Sequence, residues 1–198
     1  NILMKEFKKI KEFFKLGKDL QLKDALVLLK ACKSFDYKKG ELLLKQGTKE
    51  NNIYFITKGL VRCFNINEKG EEVTFQLIKE YQLVGNIHFI LFDEPSKFSY
   101  EAIENLKGYS ISYDNLQKIL SNNPKLETNR KFFFRKILKQ AFGRLDSFVL
   151  LSPEERYKKY IKDFPGIINR APDKHIANVL GITPVSLSRI RKRIASKK

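Results

Sequence analysis

The segment from residue 173 to residue 195 has the pattern of two short helices joined by a tight turn. Its apolar residues recur at helical spacing on both sides of a break, at Ile176, Val179, Leu180, Leu187, Ile190 and Ile194. Gly181 can end the first helix in a left-handed conformation, Thr183 can cap the second, and Pro184 suits its first turn. Ala177 is small enough to let the helices cross closely. The segment therefore predicts a helix-turn-helix.

The exposed face of the second helix would be rich in hydroxyl and cationic groups, namely Ser186, Ser188, Arg189, Arg191, Lys192 and Arg193. Positive charge is concentrated in the same part of the chain. Residues 125–198 hold 19 Lys and Arg against 6 Asp and Glu, whereas residues 1–124 hold 20 against 16. Cationic charge beside a helix shaped for a groove is typical of DNA-binding domains. A helical corner with a solvated basic tail is the alternative.

Length and composition predict a globular protein, since the chain has 198 residues of which 42% are apolar. No stretch approaches the ~20 apolar residues that span a bilayer, so we expect no membrane partner and a cytoplasmic location. Cys32 and Cys63 are too few for an iron–sulfur or structural zinc site, and we expect reduced thiols.

Near its start the chain shows no secretory-signal pattern. Its apolar residues favour an amphipathic helix packed on the domain, with a membrane-surface helix as the alternative. They are Phe7, Ile10, Phe13 and Phe14.

The part of the chain up to about residue 120 is expected to be mainly β. After a short helix from Lys23 to Ala31, brief apolar runs alternate with glycines, which favours an antiparallel sandwich or barrel. Residues 52–78 are predicted to form a hairpin with Asn67 to Gly70 in its turn. Further strands are expected at Tyr100 to Glu104 and at Gly108 to Ser112. A helix follows near residues 114–121.

One long helix is expected from Pro124 to Leu151. Apolar residues at alternating spacings of four and three form a heptad seam, at Phe134, Leu138, Ala141, Leu145 and Phe148. Such a seam can pack against a copy of itself, although packing against the chain's own β domain would give the same stripe. The next helix begins with a capping box, because Ser152 can cap and Glu155 lies three residues later.

The order of these elements resembles that of the Crp/Fnr superfamily of bacterial transcription regulators. The resemblance runs from about Lys23 to Lys198. It is carried by Gly40-Glu41, Gly47, Ile56-x-x-Gly59-x-Val61, Gly70-x-Glu72, Gly85, Ile111-Ser112, SPEERY at 152–157 and IANVLGITPVSLSRIRKRI at 176–194. It implies a homodimer on a two-fold symmetric DNA site, and an activator of this kind would also contact RNA polymerase.

The fold that the resemblance implies is α+β. Residues 1–123 would form an antiparallel β-roll, a double-stranded β-helix like that of cyclic nucleotide-binding domains, and would hold the effector. Residues 124–151 would form the dimerisation helix. Residues 152–198 would form an all-α, winged-helix-like helix-turn-helix domain.

In nucleotide-binding members of the superfamily, a Gly-Glu pair opens a short helix and a later Arg pairs the phosphate. Here the pair is Gly85-Asn86, and Ser96 or Phe98 stands in place of the Arg, with Lys97 as the cation nearby. Losing that charged partner would cost about 1.5 to 3 kcal/mol of binding energy, so we expect that cyclic AMP is not the ligand. The expected pocket residues are Gly85, Asn86, Ile87, His88, Ser96, Lys97, Phe98 and Ser99. They leave open an unknown small-molecule effector, or a roll that only supports the dimer.

His88 could ligate haem or bind an anion, but a lone histidine is more often a pocket wall. We expect His175 to contact a phosphate or solvent. The N-terminal cysteine cluster of the oxygen-sensing branch is absent. We expect no cofactor and no metal.

Relatives read a G·C pair with an Arg-Glu pair at the start of the recognition helix. This chain has Pro184-Val185 there and keeps an arginine one turn later, so Val185 would meet a thymine methyl and Arg189 would be the main base reader. The other expected DNA contacts are Thr183, Ser186 and Ser188, with Arg191, Lys192, Arg193 and Lys174 on phosphates. The competing hypothesis is a signalling or protein-interaction adaptor without specific DNA recognition. The sequence holds no catalytic constellation, so we do not expect an enzyme.

Overall fold

The structure, a computed structural model, describes residues 22–196, with the backbone alone at residues 22–25, 125–133 and 136. The helices are α1 (Leu22–Ala31), α2 (Ile87–Phe92), α3 (Tyr113–Ser121), α4 (Pro124–Leu150), α5 (Pro153–Asp163), α6 (Asp173–Leu180) and α7 (Pro184–Ala195), with a 3₁₀ turn at Ile167–Asn169. The strands are β1 (Lys33–Tyr37), β2 (Leu42–Leu44), β3 (Asn52–Lys58), β4 (Val61–Ile66), β5 (Glu72–Ile78), β6 (Leu83–Gly85), β7 (Ser99–Ala102) and β8 (Leu106–Ser112).

The strands form two antiparallel four-stranded sheets, in the orders β1-β8-β3-β6 and β2-β7-β4-β5. Strands far apart in sequence are neighbours in each sheet, so the chain winds between the two sheets as a roll. The predicted hairpin is confirmed in its β4–β5 part, where Val61 pairs with Ile78 and Ile66 with Glu72. Gly59 joins β3 to β4 at a φ of +100°, and a Cβ there would lie 2.6 Å from the carbonyl oxygen of Asn105. That turn therefore requires glycine.

The described residues form two large apolar cores and a small third cluster around Leu120. The first lies between the sheets and includes Leu44, Ile56 and Leu106, which are almost completely buried. The second joins Leu60 and Leu77 of the roll to residues of α5, α6 and α7. Because the second core is built from both parts, the C-terminal helices pack directly on the roll.

Several boundaries differ from the expectation. The first sheet begins earlier than expected, since β1 covers residues 33–37 and pairs with β8. Strand β7 runs from Ser99 to Ala102, whereas we expected a strand from Tyr100 to Glu104. The sequence signal for β1 is weak because KSFDY carries only two large apolar residues. The 3₁₀ turn after α5 was not predicted. Among residues 113–196 no strand is present, so the C-terminal helical part has no β wing there. The helix expected around Phe7 to Phe14 lies outside the described residues.

Candidate nucleic-acid interface

The corner between α6 and α7 is built as its residues predict. Gly181 ends α6 with a φ of +64°, and its N–H donates back to the carbonyl of Asn178 at 2.9 Å. Thr183 caps α7, since its Oγ1 accepts from the N–H of Ser186 at 3.1 Å. Leu187 and Ile190 turn inward into the second core. This burial fixes which side of α7 faces solvent.

The outward side of α7 carries apolar, hydroxyl and cationic groups. Val185 is 60% exposed, and Ser188, Arg189 and Lys192 are exposed as well. Within residues 22–196, neither Arg189 nor Lys192 forms an ion pair. Ser186 is half-buried. The face thus offers two uncompensated cations beside an apolar contact.

A cleft of about 590 Å³ runs between the first turn of α5 and α7. Arg189 and Arg193 line it on one side, and Ser152 and Lys158 line it on the other. The predicted capping box of α5 is confirmed, since the N–H of Ser152 donates to the Glu155 carboxylate at 2.9 Å. Helix α7 and the start of α5 therefore line one cleft.

Two arginines of α7 are held by carboxylates of the same chain. Arg191 donates to both oxygens of Asp173 at 2.8 Å, and Arg193 donates to Glu154 at 3.1 Å. Burial lowers the pKa of Arg191, but its bonds with Asp173 and Tyr157 outweigh burial, so that its pKa is raised. Arg191 links the start of α6 to the middle of α7, whereas the Arg193 pair is exposed.

His175, which we expected to contact a phosphate or solvent, also bonds to the roll. The ring is half-buried, and its Nδ1 shares a hydrogen bond of 2.8 Å with Thr74 Oγ1 on β5. Burial, followed by the Arg62 charge, lowers the pKa of His175. Asn178, one turn later on α6, accepts from the Thr74 N–H at 3.2 Å. Both contacts fasten α6 to the roll, whereas Lys174 is exposed.

Arg170 makes a second link between the helical part and the roll. Its guanidinium donates to Glu80 at 2.7 Å and to Glu104 at 2.6 Å. The bonds with Glu104 and then Glu80 raise the pKa of Arg170. Burial raises the pKa of Glu80, but the hydrogen bonds from Arg170 and from the Gly59 N–H lower it by more. The pKa of Glu80 is therefore lowered overall. Sequence reasoning missed this cluster, because its members lie 66 and 90 positions apart.

The buried polar groups of the predicted effector pocket bond to the chain itself. Asn86 is 1% exposed; its Oδ1 accepts from the Phe89 N–H at 3.2 Å and its Nδ2 donates to the Thr48 carbonyl at 3.1 Å. Ser96 Oγ donates to the Phe98 carbonyl at 2.7 Å. Ser99 Oγ accepts from the N–H of Gln46 at 2.9 Å. We call the segment from Gly85 to Ser99 the cassette.

The other predicted pocket residues lie around the hydrogen-bonded side chains of Asn86, Ser96 and Ser99. Gly85 ends β6 opposite Ile53, and Ile87 begins α2. His88 lies beside the Phe98 ring at 5.8 Å between centroids. Lys97 is exposed and lies 3.8 Å from Glu94. The structure therefore brings the pocket residues into one region, with the nearby lysine outside it.

The long helix α4 exposes an apolar stripe. Leu138 and Leu145 of the predicted seam are 55% and 57% exposed, and Ala141 is exposed. Phe142 and Val149 extend the same side at 61% and 72% exposure. The remaining seam residues differ: Phe134 is half-buried, and the Phe148 ring lies against the corner at Gly181, where a Cβ would come within 2.5 Å of it.

None of the described helices combines the length and apolarity that a membrane span requires. In the described part of the chain, no cluster of three or more His, Cys, Asp or Glu side chains could hold a metal ion.

Comparison with known families and relatives agrees with this architecture. Residues 34–123 match the model of the cyclic nucleotide-binding domain. The chain is 27% identical over 172 residues to the anaerobic regulatory protein of Haemophilus influenzae, which covers 78% of the chain and 64% of the relative. It is 24% identical over 91 residues to the global nitrogen regulator of Synechococcus elongatus, a match that covers 46% of this chain and 41% of that relative. The chain thus spans less than two thirds of either relative.

Solved structures share the fold over most of the chain. FixK2 from Bradyrhizobium japonicum superimposes with a TM-score of 0.71 at 17% identity, covering 84% of this chain and 85% of that one. The c-di-GMP-responsive global regulator CLP of Xanthomonas campestris superimposes with a TM-score of 0.70 at 13% identity, covering 89% and 93%. At 17% and 13% sequence identity, these superpositions show a shared fold and no more.

Proposed function

We propose that this chain is a member of the Crp/Fnr superfamily and a transcription regulator that binds a palindromic DNA site as a homodimer. The relatives are named as a global nitrogen regulator and an anaerobic regulatory protein rather than as enzymes, and we extend their class of activity to this chain. We place the protein in the cytoplasm. It would contact RNA polymerase if it activates transcription.

The observation that carries the proposal is the outer face of α7. Leu187 and Ile190 bury the opposite side, so Arg189 and Lys192 project from an exposed helix capped at Thr183. A helix of this kind fits the major groove of B-DNA, where an arginine can bond two acceptors of a guanine. We assign base reading to Arg189, and a thymine-methyl contact to Val185.

The remaining cations divide into two groups. Lys192 and Lys174 are exposed and would meet phosphates, as would Arg193 once it leaves Glu154. Arg191 has its Asp173 partner in the same chain, and we assign it to positioning α7 rather than to DNA. Thr183, Ser186 and Ser188 would add hydrogen bonds at the start of the helix. An interface of this kind should weaken as salt rises.

The homodimer is supported by the exposed stripe of α4. Leu138, Phe142, Leu145 and Val149 repeat at spacings of four and three, which is the spacing of a two-helix seam. A second copy would remove these side chains from water. Two α7 helices related by a two-fold axis would then read two half-sites of inverted sequence.

Cyclic AMP is not the effector in our proposal. The cassette offers a cyclic phosphate no buried cation, and the polar atoms of Asn86 and Ser96 already have partners. A phosphate would have to break these bonds without gaining a charged partner. Calorimetric titration with cyclic AMP should therefore show no binding in the micromolar range.

Selection from random duplexes tests the proposal. We expect enrichment of a palindrome whose half-sites lie about one helical turn apart. Leu145→Asp should give a monomer by sedimentation that binds the selected duplex far more weakly, while Lys139→Asp, an exposed change on the same helix, should leave the dimer intact. If no sequence is enriched, the adaptor hypothesis is favoured instead.

A further inference from the structure

Arg144 lies near the end of α4, where the long helix, the roll and α5 meet. Its guanidinium stacks 4.5 Å from the Phe75 ring on β5 and 5.1 Å from the Phe148 ring. The side chain is half-buried. Among the side chains that the structure describes, no carboxylate forms a salt bridge with Arg144. This contrasts with Arg62 and Arg170, each of which pairs with two glutamates.

Arg144 has thus lost part of its hydration, and its contacts with the two rings compensate for this less than a carboxylate would. Burial accordingly lowers the pKa of Arg144. Tyr160 of α5 lies within electrostatic reach of Arg144, and its hydroxyl is buried and has no hydrogen-bond partner within the described part of the chain. Burial raises the pKa of Tyr160, and the Arg144 charge acts against that rise. Among the described side chains, neither group has a partner that accepts its hydrogen bonds.

An aromatic shelf extends from Arg144 towards the cassette. Phe75 is 41% exposed and lies 4.8 Å from Phe98 between ring centroids, at an interplanar angle of 32°. Phe98 in turn neighbours His88. The exposed Phe75 ring and the half-buried Phe98 ring beside it offer apolar area to a planar molecule. The cassette behind them has used its buried polar groups internally, so a negative charge would find its partner at Arg144.

We propose that Arg144, Tyr160 and the shelf of Phe75 and Phe98 form a binding site for a small aromatic carboxylate. The carboxylate accepts from the N–H groups of Arg144 and from the Tyr160 hydroxyl, and the ring lies on the shelf. The site itself is independent of DNA, whereas its use as an effector site rests on the proposed function.

The position of Phe148 links this site to the DNA-reading corner. One side of the Phe148 ring meets Arg144, and the ring also lies against Gly181 at the turn between α6 and α7. Arg156 stacks 4.9 Å from the same ring and donates to the Leu180 carbonyl at 3.1 Å. A carboxylate that draws Arg144 away from Phe148 would therefore alter the packing of that turn.

The test is calorimetric titration of the full chain, without DNA, using benzoate as the probe. Benzamide, a neutral molecule of the same shape, and inorganic phosphate, an anion without a ring, serve as comparison ligands. We expect saturable benzoate binding that exceeds either comparison ligand at least tenfold. Arg144→Gln should weaken benzoate binding about tenfold or more, whereas Arg135→Gln, an exposed change of equal charge on the same helix, should not.

Tyr160→Phe separates a binding role from a structural one. Removing an unpaired hydroxyl should not lower Tm, yet benzoate affinity should fall about three- to tenfold. The proposal is overturned if benzoate does not bind, if benzamide binds equally well, or if Arg144→Gln and Arg135→Gln titrate alike. Because no DNA is present, none of these results depends on whether the protein recognises a DNA sequence.

Discussion

The cassette and the outer face of α7 are both polar, but they use their polar groups in opposite ways. In the cassette, Asn86, Ser96 and Ser99 are buried and bonded to the chain itself. On α7, Arg189 and Lys192 are exposed and form no ion pair within residues 22–196. A group that already has a partner holds the fold together, whereas one without a partner is available to a ligand.

The same distinction applies within α7. Arg191 and Arg193 are as cationic as Arg189, yet each bonds a carboxylate of the same chain. Sequence alone groups all three on one face. The structure separates Arg191 and Arg193, which pair with carboxylates, from Arg189, to which we assign base reading.

The largest effect should come from the buried side of α7. Leu187→Ala should lower the free energy of unfolding by about 2 to 5 kcal/mol, because Leu187 is completely buried in the core shared with the roll. Val185→Ala on the exposed side should change it by less than about 0.5 kcal/mol. Urea denaturation compares them, and equal losses would mean that α7 does not present its Arg189 side to solvent.

Asn86→Ala examines the cassette. The change removes the cap of α2 and the bond to Thr48, so it should cost about 1 to 3 kcal/mol of stability. DNA affinity per folded molecule should be unchanged. Asn115→Ala, an exposed change, is the matched control. A variant of unchanged stability would show that the cassette does not support the fold.

Arg189→Ala tests the outer face of α7. We expect a loss of about 1 to 3 kcal/mol of discrimination at one base pair of each half-site, with no change in stability. Lys192→Ala should weaken binding to all sequences alike and reduce the salt slope by about one. Fluorescence anisotropy on matched duplexes measures both. The reverse pattern would exchange the two roles.

The smallest effect concerns the contact between α6 and the roll. The pKa of His175 is lowered, so the folded protein favours the neutral imidazole ring. The stability that the neutral ring contributes is therefore present above pH 6.5, the ordinary pKa of histidine. It is lost as the pH falls through the lower pKa of the folded protein. Arg62, Lys174, Glu72 and Glu101 surround it. Tm of the unmodified protein should therefore exceed that of His175→Gln at pH 8 and approach it towards pH 5. A difference in Tm between the two proteins that stays constant from pH 8 to pH 5 would contradict the assignment.

Local signals made much of the fold predictable. Gly181, Thr183 and the Ser152–Glu155 capping box act within four residues, and the structure has each of them as expected. Contacts between distant residues were not predictable. The Arg170 cluster and the His175–Thr74 bond join residues 66 to 101 positions apart, and they depend on how the helices pack on the roll. The same packing turned Phe148 towards the corner.

In a regulator of the proposed kind, two copies of α7 read one duplex. Hydroxyl-radical footprinting on the selected duplex tests it most directly. Our account predicts two protected stretches related by two-fold symmetry, with centres about 10 base pairs apart, and their loss in Arg189→Ala at moderate salt. A single protected stretch, or uniform protection that Arg189→Ala leaves unchanged, would contradict it.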